Sequence, residues 1–271
     1  MKAVGSAFKR PVFFVLVVAL IACIVGWVVS PKQFFISYSF AFLFWFGLSL
    51  GSLAWTMIHH LTGGRWGYAT RRFFEASMSS LPLLVLLFIP VILGIRALYP
   101  WMDAAALSAD EILRHKHLYL NAPAFVTRAI VLFGIWIVMA RLLTQWSAEQ
   151  DATPNPEPTR KLRRLSGPGL VIYPLTMTIA AVDWVMSIEP DWFSTIFPIL
   201  ICIGQMLNAL ALAILLLAVE HRRAPLAQIA SSETFLHLGN LLLTFTMLWA
   251  YLAFAQLLVI WSGDLPHEIS W

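Results

Sequence analysis

Asp183 lies in the stretch Ala181–Phe197, AVDWVMSIEPDWFSTIF, at the end of a long apolar run where an acid is out of place. Trp184 and Trp192 flank a short acidic turn made of Glu189, Pro190 and Asp191. A carboxylate held in an apolar segment and capped by interfacial aromatics marks a functional site by default. Arg128 carries the complementary charge and lies just inside another apolar run. With 1.5 Å of rise per residue, both stand about 6 Å inside the outer ends of their runs, so their levels match. A lone charge at that depth costs roughly 2.5–3.5 kcal/mol on insertion scales, which favours an Arg128–Asp183 ion pair. Such a pair is either purely structural, or it leaves Asp183 as a proton acceptor beside a ligand pocket.

A second group gathers at the opposite ends of the runs. His59, His60, Glu220, His221, Glu233 and His237 fall near one level there. Histidine titrates near neutral pH and suits a point of proton uptake. Two histidines also suit a b-type haem, although none of these stands well inside a run. Side chains three or four residues apart share a helix face. Glu233, His237, Asn240, Thr244 and Tyr251 follow that spacing, with Met247 filling the gap, and so do Tyr173, Thr176, Ala180, Asp183 and Ser187. Ser49, Ser52 and Thr56 form a third stripe that runs to His59 and His60, and Gln205 and Asn208 stand near the middle of another run. The plainer reading is that such residues bond helices together at about 0.6 kcal/mol each. His115 and His117, two apart on a polar stretch, read as surface residues.

The elements that must position these groups are membrane helices. Of the 271 residues, 60% are hydrophobic and only 12% charged, against about 25% charged in a soluble domain. Seven runs reach the roughly 20 apolar residues a crossing needs: 11–29, 34–58, 81–99, 124–143, 169–187, 195–219 and 235–260. The first reads as an uncleaved helix, because its apolar region is too long for a signal peptide and no small-x-small cleavage site follows. With the N-terminus inside, thirteen Lys and Arg fall on the inner side and four on the outer, with Arg128 within a span. The positive-inside rule fixes that orientation and puts the C-terminus outside. The expected fold is an all-α polytopic membrane protein: spans 1–4 in 1–144, a Pro-rich basic cytoplasmic linker in 145–168, and spans 5–7 in 169–271. The linker, with DATPNPEPTRKLRRL, reads as flexible, its basic end near anionic lipid.

Several classes are excluded. Cys23 and Cys202 are the only cysteines, so neither a cysteine-ligated iron–sulfur cluster nor covalent haem is expected. No basic patch with interleaved aromatics points to nucleic acid. The last span has no lysine for a retinal Schiff base, and no P-loop, nucleophile elbow or H-E-x-x-H occurs.

Four phrases carry a family resemblance: WTMIHHLTGGRWGY at Trp55–Tyr68, KHLYLNAPAFVTR at Lys116–Arg128, DWVMSIEPDWFSTIF at Asp183–Phe197 and WAYLAFAQLLVIWSGDLPHEISW at Trp249–Trp271. With them the chain resembles the second NrfD/PsrC-like membrane subunit of bacterial alternative complex III, a quinol:cytochrome c or quinol:oxidase oxidoreductase. The resemblance implies two four-helix bundles plus peripheral helices in the bacterial inner membrane. It implies a sister NrfD-like subunit, a periplasmic iron–sulfur subunit and cytochrome c subunits as partners, besides lipid. It implies quinone or quinol as the small molecule, with the better-supported quinol site in the sister subunit, and no independent catalysis. Relatives continue past the position of Trp271, so this chain is expected to hold the first bundle and part of a second. Asp183, Arg128, His59, His60, Glu233, His237, Asn240 and Tyr251 are the candidates for a proton path or quinone contact. A purely structural anchor and a secondary transporter are the alternatives. The second lacks the paired broken helices that transporters show.

Overall fold

A computed structural model describes residues 4–103, 111–152, 155–190, 192–224 and 226–264. Asp191 of the acidic turn, Thr153 and Pro154 of the linker, 104–110 of the loop after Asp103 and 265–271 of the final phrase lie outside them. Every regular element among the described residues is helical: α1 (Val4–Val29), α2 (Pro31–Thr62), α3 (Arg65–Met78), α4 (Leu81–Leu93), α5 (Ile95–Leu98), α6 (Glu111–Lys116), α7 (Ala122–Ala152), α8 (Glu157–Trp184), α9 (Phe197–Glu220) and α10 (Ser232–Gly263). Among them, α2, α7, α8 with its following 3-10 turn, α9 and α10 are long and apolar enough to cross a membrane. The pair α3–α4, bent by 41°, makes a sixth if it counts as one crossing. The apolar stretch of α1, Phe13–Val29, is shorter. The chain is thus a helical protein with the architecture of a multi-pass membrane protein.

Central to the fold is α2, which packs on α1, α3, α4, α8 and α9. Pro31 opens it at a position where a missing N–H costs nothing. Gly63 and Gly64 end it at φ 71° and 102°, a backbone that side chains other than glycine resist. Gly47 and Gly51, four apart, form a small-residue seam against α9. A Cβ on Gly51 would lie 2.2 Å from the Gln205 carbonyl oxygen. Close approach of this kind is what joins helices when lipid, as apolar as leucine, offers no hydrophobic drive between them. Trp55 Nε1 donates to the Met206 carbonyl at 2.8 Å along the same seam.

Two expectations change. The stretch 81–99 is not one straight helix: α4 ends at Gly94, a short α5 follows, and α4 continues the polar helix α3 across Ser79 and Ser80. The stretch 145–168 is not a flexible linker. It is helix through Ala152 and again from Glu157, so α7 and α8 form a tight hairpin. Pro158 sits in the first turn of α8, where proline starts a helix rather than breaking it. One continuous buried core, with Phe46, Trp55, Trp136 and Leu210 among its members, joins α2, α4, α7, α8 and α9 across the expected boundary.

Candidate functional site

Helix α7 is aimed by its cap. The Asn121 side chain accepts the Ala124 N–H at 2.9 Å, which fixes the first turn and the position of Arg128 two turns on. At the facing end of α8, two side chains close off backbone carbonyls that the helix leaves open. Ser187 Oγ donates to the Asp183 carbonyl at 2.6 Å, and the Tyr99 hydroxyl donates to the Trp184 carbonyl at 3.1 Å. Asp183 is thereby held completely buried.

The structure joins the two charges. Arg128 Nε donates to Asp183 Oδ2 at 2.6 Å, and Nη2 donates to Oδ1 at 3.1 Å. This two-point fork is the geometry in which an arginine–carboxylate pair is strongest. Tyr119 holds the guanidinium from a third side. Its carbonyl accepts Arg128 Nη1 at 3.1 Å, and its ring centroid lies 3.9 Å from the guanidinium carbon, a cation–π contact. Burial and the nearby Asp183 carboxylate push the Tyr119 hydroxyl up to about 12.

Tyr119 also lines a cavity of about 330 Å³ with Val182, Met186, Ser187, Trp192 and Phe193. The walls are almost entirely apolar, and Lys116, whose ammonium bonds the Pro190 carbonyl, stands at the rim. A ligand in this cavity would meet Tyr119 before the ion pair. The arrangement suits an apolar ligand with an exchangeable proton.

Beneath the pair, Trp184 packs against Phe88 at 4.7 Å, Phe46 at 5.2 Å, Phe133 at 5.7 Å and Trp136 at 6.0 Å between ring centroids. Below these rings a separate polar group spans the bundle. Trp136 Nε1 donates to Thr176 Oγ1 at 2.9 Å, and the Tyr173 hydroxyl donates to Gln205 Oε1 at 2.8 Å. No side-chain hydrogen bond among the described residues links Asp183 to Thr176, so the ion pair and this cluster are distinct.

The histidine-bearing candidates at the other end of the bundle divide into two sets. His59 is buried, its ring 5.5 Å from His60 and 5.2 Å from Tyr68 between centroids. His59 Nδ1 and His60 Nε2 are buried without a hydrogen-bond partner. Glu233 and His237 stand apart from them: Arg65 Nη1 reaches Glu233 at 2.9 Å, and His237 Nε2 lies 3.6 Å from Glu233, all exposed. Asn240 and Tyr251 are exposed as well. The reason is the packing of α10. Thr234, Leu238, Leu241 and Phe245 share the face it turns inward, where Phe245 meets Trp55 at 4.8 Å. The polar stripe lies on a neighbouring, exposed face, roughly 100° round the helix.

No protein-family model matches the chain, and no curated protein matches it significantly.

Two further groups, Tyr119 and Glu75, join these candidates in the structure. Tyr119 sits within the phrase KHLYLNAPAFVTR, yet its spacing to Arg128 crosses a helix start and gives no periodic signal. Glu75 is buried on α3, in a basic stretch. It pairs with Arg72 and Arg71 and accepts Ser147 Oγ, and Arg71 Nη2 reaches Asp151 at 2.6 Å. The i+3 and i+4 spacing of Arg72 and Arg71 from Glu75 was the available signal. Every charge in that network is matched, so it fastens α3 to α7.

Proposed function

We propose that this chain is a multi-pass membrane subunit of a quinol-oxidising redox assembly of the alternative complex III type, in a bacterial inner membrane. Seven crossings with the N-terminus inside follow from the hydropathy and the distribution of Lys and Arg. The resemblance of the four phrases supports the family and supplies the partners: a sister NrfD-like subunit, a periplasmic iron–sulfur subunit and cytochrome c subunits. The buried Arg128–Asp183 fork, gripped by Tyr119 beside an apolar cavity, carries the functional reading.

In this reading the cavity takes a quinol ring at the outer face. Tyr119 would take a proton from a ring hydroxyl as it passes its own to Asp183, Arg128 keeping one nitrogen on the carboxylate, and the quinol's electrons would leave to the partner iron–sulfur subunit. The His59–His60 pair serves as a separate inner proton site. The chain anchors the electron-transferring subunits and holds no redox centre of its own.

Affinity purification from native membranes tests the assembly. The chain should bring down c-type haem and iron–sulfur proteins in fixed ratio. Recovery as a free single subunit with transport activity would overturn the proposal.

A further inference from the structure

We infer that a second cavity at the outer face is a site for one phospholipid, with phosphatidylethanolamine as its occupant. The cavity holds about 630 Å³ and lies on the other side of the Met186–Ile188 turn from the first. Lys32, Ile36, Ser39, Phe40 and Leu43 line it at spacings that place them on one face of α2. From Lys32 to Leu43 this face descends about 16 Å into the apolar zone. It is a charged head above an apolar strip, the outline of an amphiphile.

The rim has both signs of charge. Lys32 and Arg96 come from α2 and α5, and neither is in an ion pair among the described residues. Glu189 faces them from the turn after α8, and it too has no such partner. Asp103 is a second acid of the same lining; the two cations fit a phosphate, and the carboxylates fit an ammonium. A phosphatidylethanolamine headgroup carries both. Phe40 is 77% exposed and Ile36 46% exposed, so the strip opens sideways to the acyl region rather than up to water. Ser39 Oγ is buried without a hydrogen-bond partner two turns below Lys32. Its free O–H suits an ester oxygen of the bound lipid.

The test uses the full chain in native membranes and after gentle detergent release. Native mass spectrometry is run with phosphatidylethanolamine, phosphatidylglycerol and phosphatidylcholine of matched acyl chains. Phosphatidylethanolamine should be retained above the other two. The double variant K32A/R96A should weaken it by roughly thirtyfold, at about one kcal-scale contribution per surface cation. E189Q should bring phosphatidylethanolamine down to the level of phosphatidylcholine. A photo-crosslinker at position 40 should capture lipid. Equal retention in wild type and K32A/R96A, no headgroup preference, or capture of a protein at position 40 would each overturn the inference. Circular dichroism of the variants confirms that these exposed changes leave the helices formed.

Discussion

Arg128 meets Asp183 with two nitrogens, Nε at 2.6 Å and Nη2 at 3.1 Å, across 55 residues of chain. The carboxylate is fully buried, and the guanidinium side chain is only 21% exposed. Removing one partner strands a buried charge, which costs about 3–5 kcal/mol, whereas replacing both with apolar groups of similar size is often neutral. Arg128→Ala should therefore lower the melting temperature of the detergent-solubilised protein sharply. The double variant R128M/D183L should recover most of that loss. Equal loss in both would mean that the fork is not the source of the effect.

The seam between α2 and α9 gives a second prediction. A Cβ at Gly51 would lie 2.2 Å from the Gln205 carbonyl oxygen and 2.6 Å from its carbon, so the helices must separate. Gly51→Ala should destabilise by at least about 1–3 kcal/mol, the usual cost of overpacking. Gly134 has open space around it. Gly134→Ala should stabilise by up to about 1 kcal/mol through helix propensity alone. Thermal melts of the two variants side by side separate the packing effect from the propensity effect.

The Arg128–Asp183 pair is legible in the sequence because rise per residue is fixed, so two positions on facing helices can be levelled. The α10 stripe was misleading for the opposite reason. Glu233, His237, Asn240 and Tyr251 are regular in spacing, but so are Thr234, Leu238, Leu241 and Phe245, and periodicity does not say which face turns inward. The 145–168 stretch has the prolines and charges of a flexible linker. A proline in a first turn and one in an interior read alike until the cap is seen, and here Pro158 starts α8. Tyr119 and Glu75 were hidden because their partners come from other elements. The Gly47–Gly51 seam was legible in principle, but the serines beside it drew the reading toward hydrogen bonding.

Tyr119 supplies a pH dependence. Burial and the Asp183 carboxylate raise its hydroxyl from 10.0 to about 12 in the folded chain. A group whose folded value is raised contributes stability that is intact below the unfolded value and lost as pH rises through the folded one. The loss therefore falls between pH 10 and about 12. Melting temperatures across that window should fall more steeply for wild type than for Tyr119→Phe. Parallel curves would show that Tyr119 does not sense the pair.

The central claim is that Asp183 accepts a proton during quinol oxidation. The most direct measurement is quinol-dependent electron transfer in the purified assembly carrying Asp183→Asn, a near-isosteric change. The Asn oxygen still accepts from Arg128, which is partly exposed and also held by the Tyr119 carbonyl, so the variant should assemble with a full complement of haem c and lose turnover by about 100-fold, the range for removal of a general base. Full assembly with unchanged turnover would contradict the claim and leave the Arg128–Asp183 pair a structural clasp.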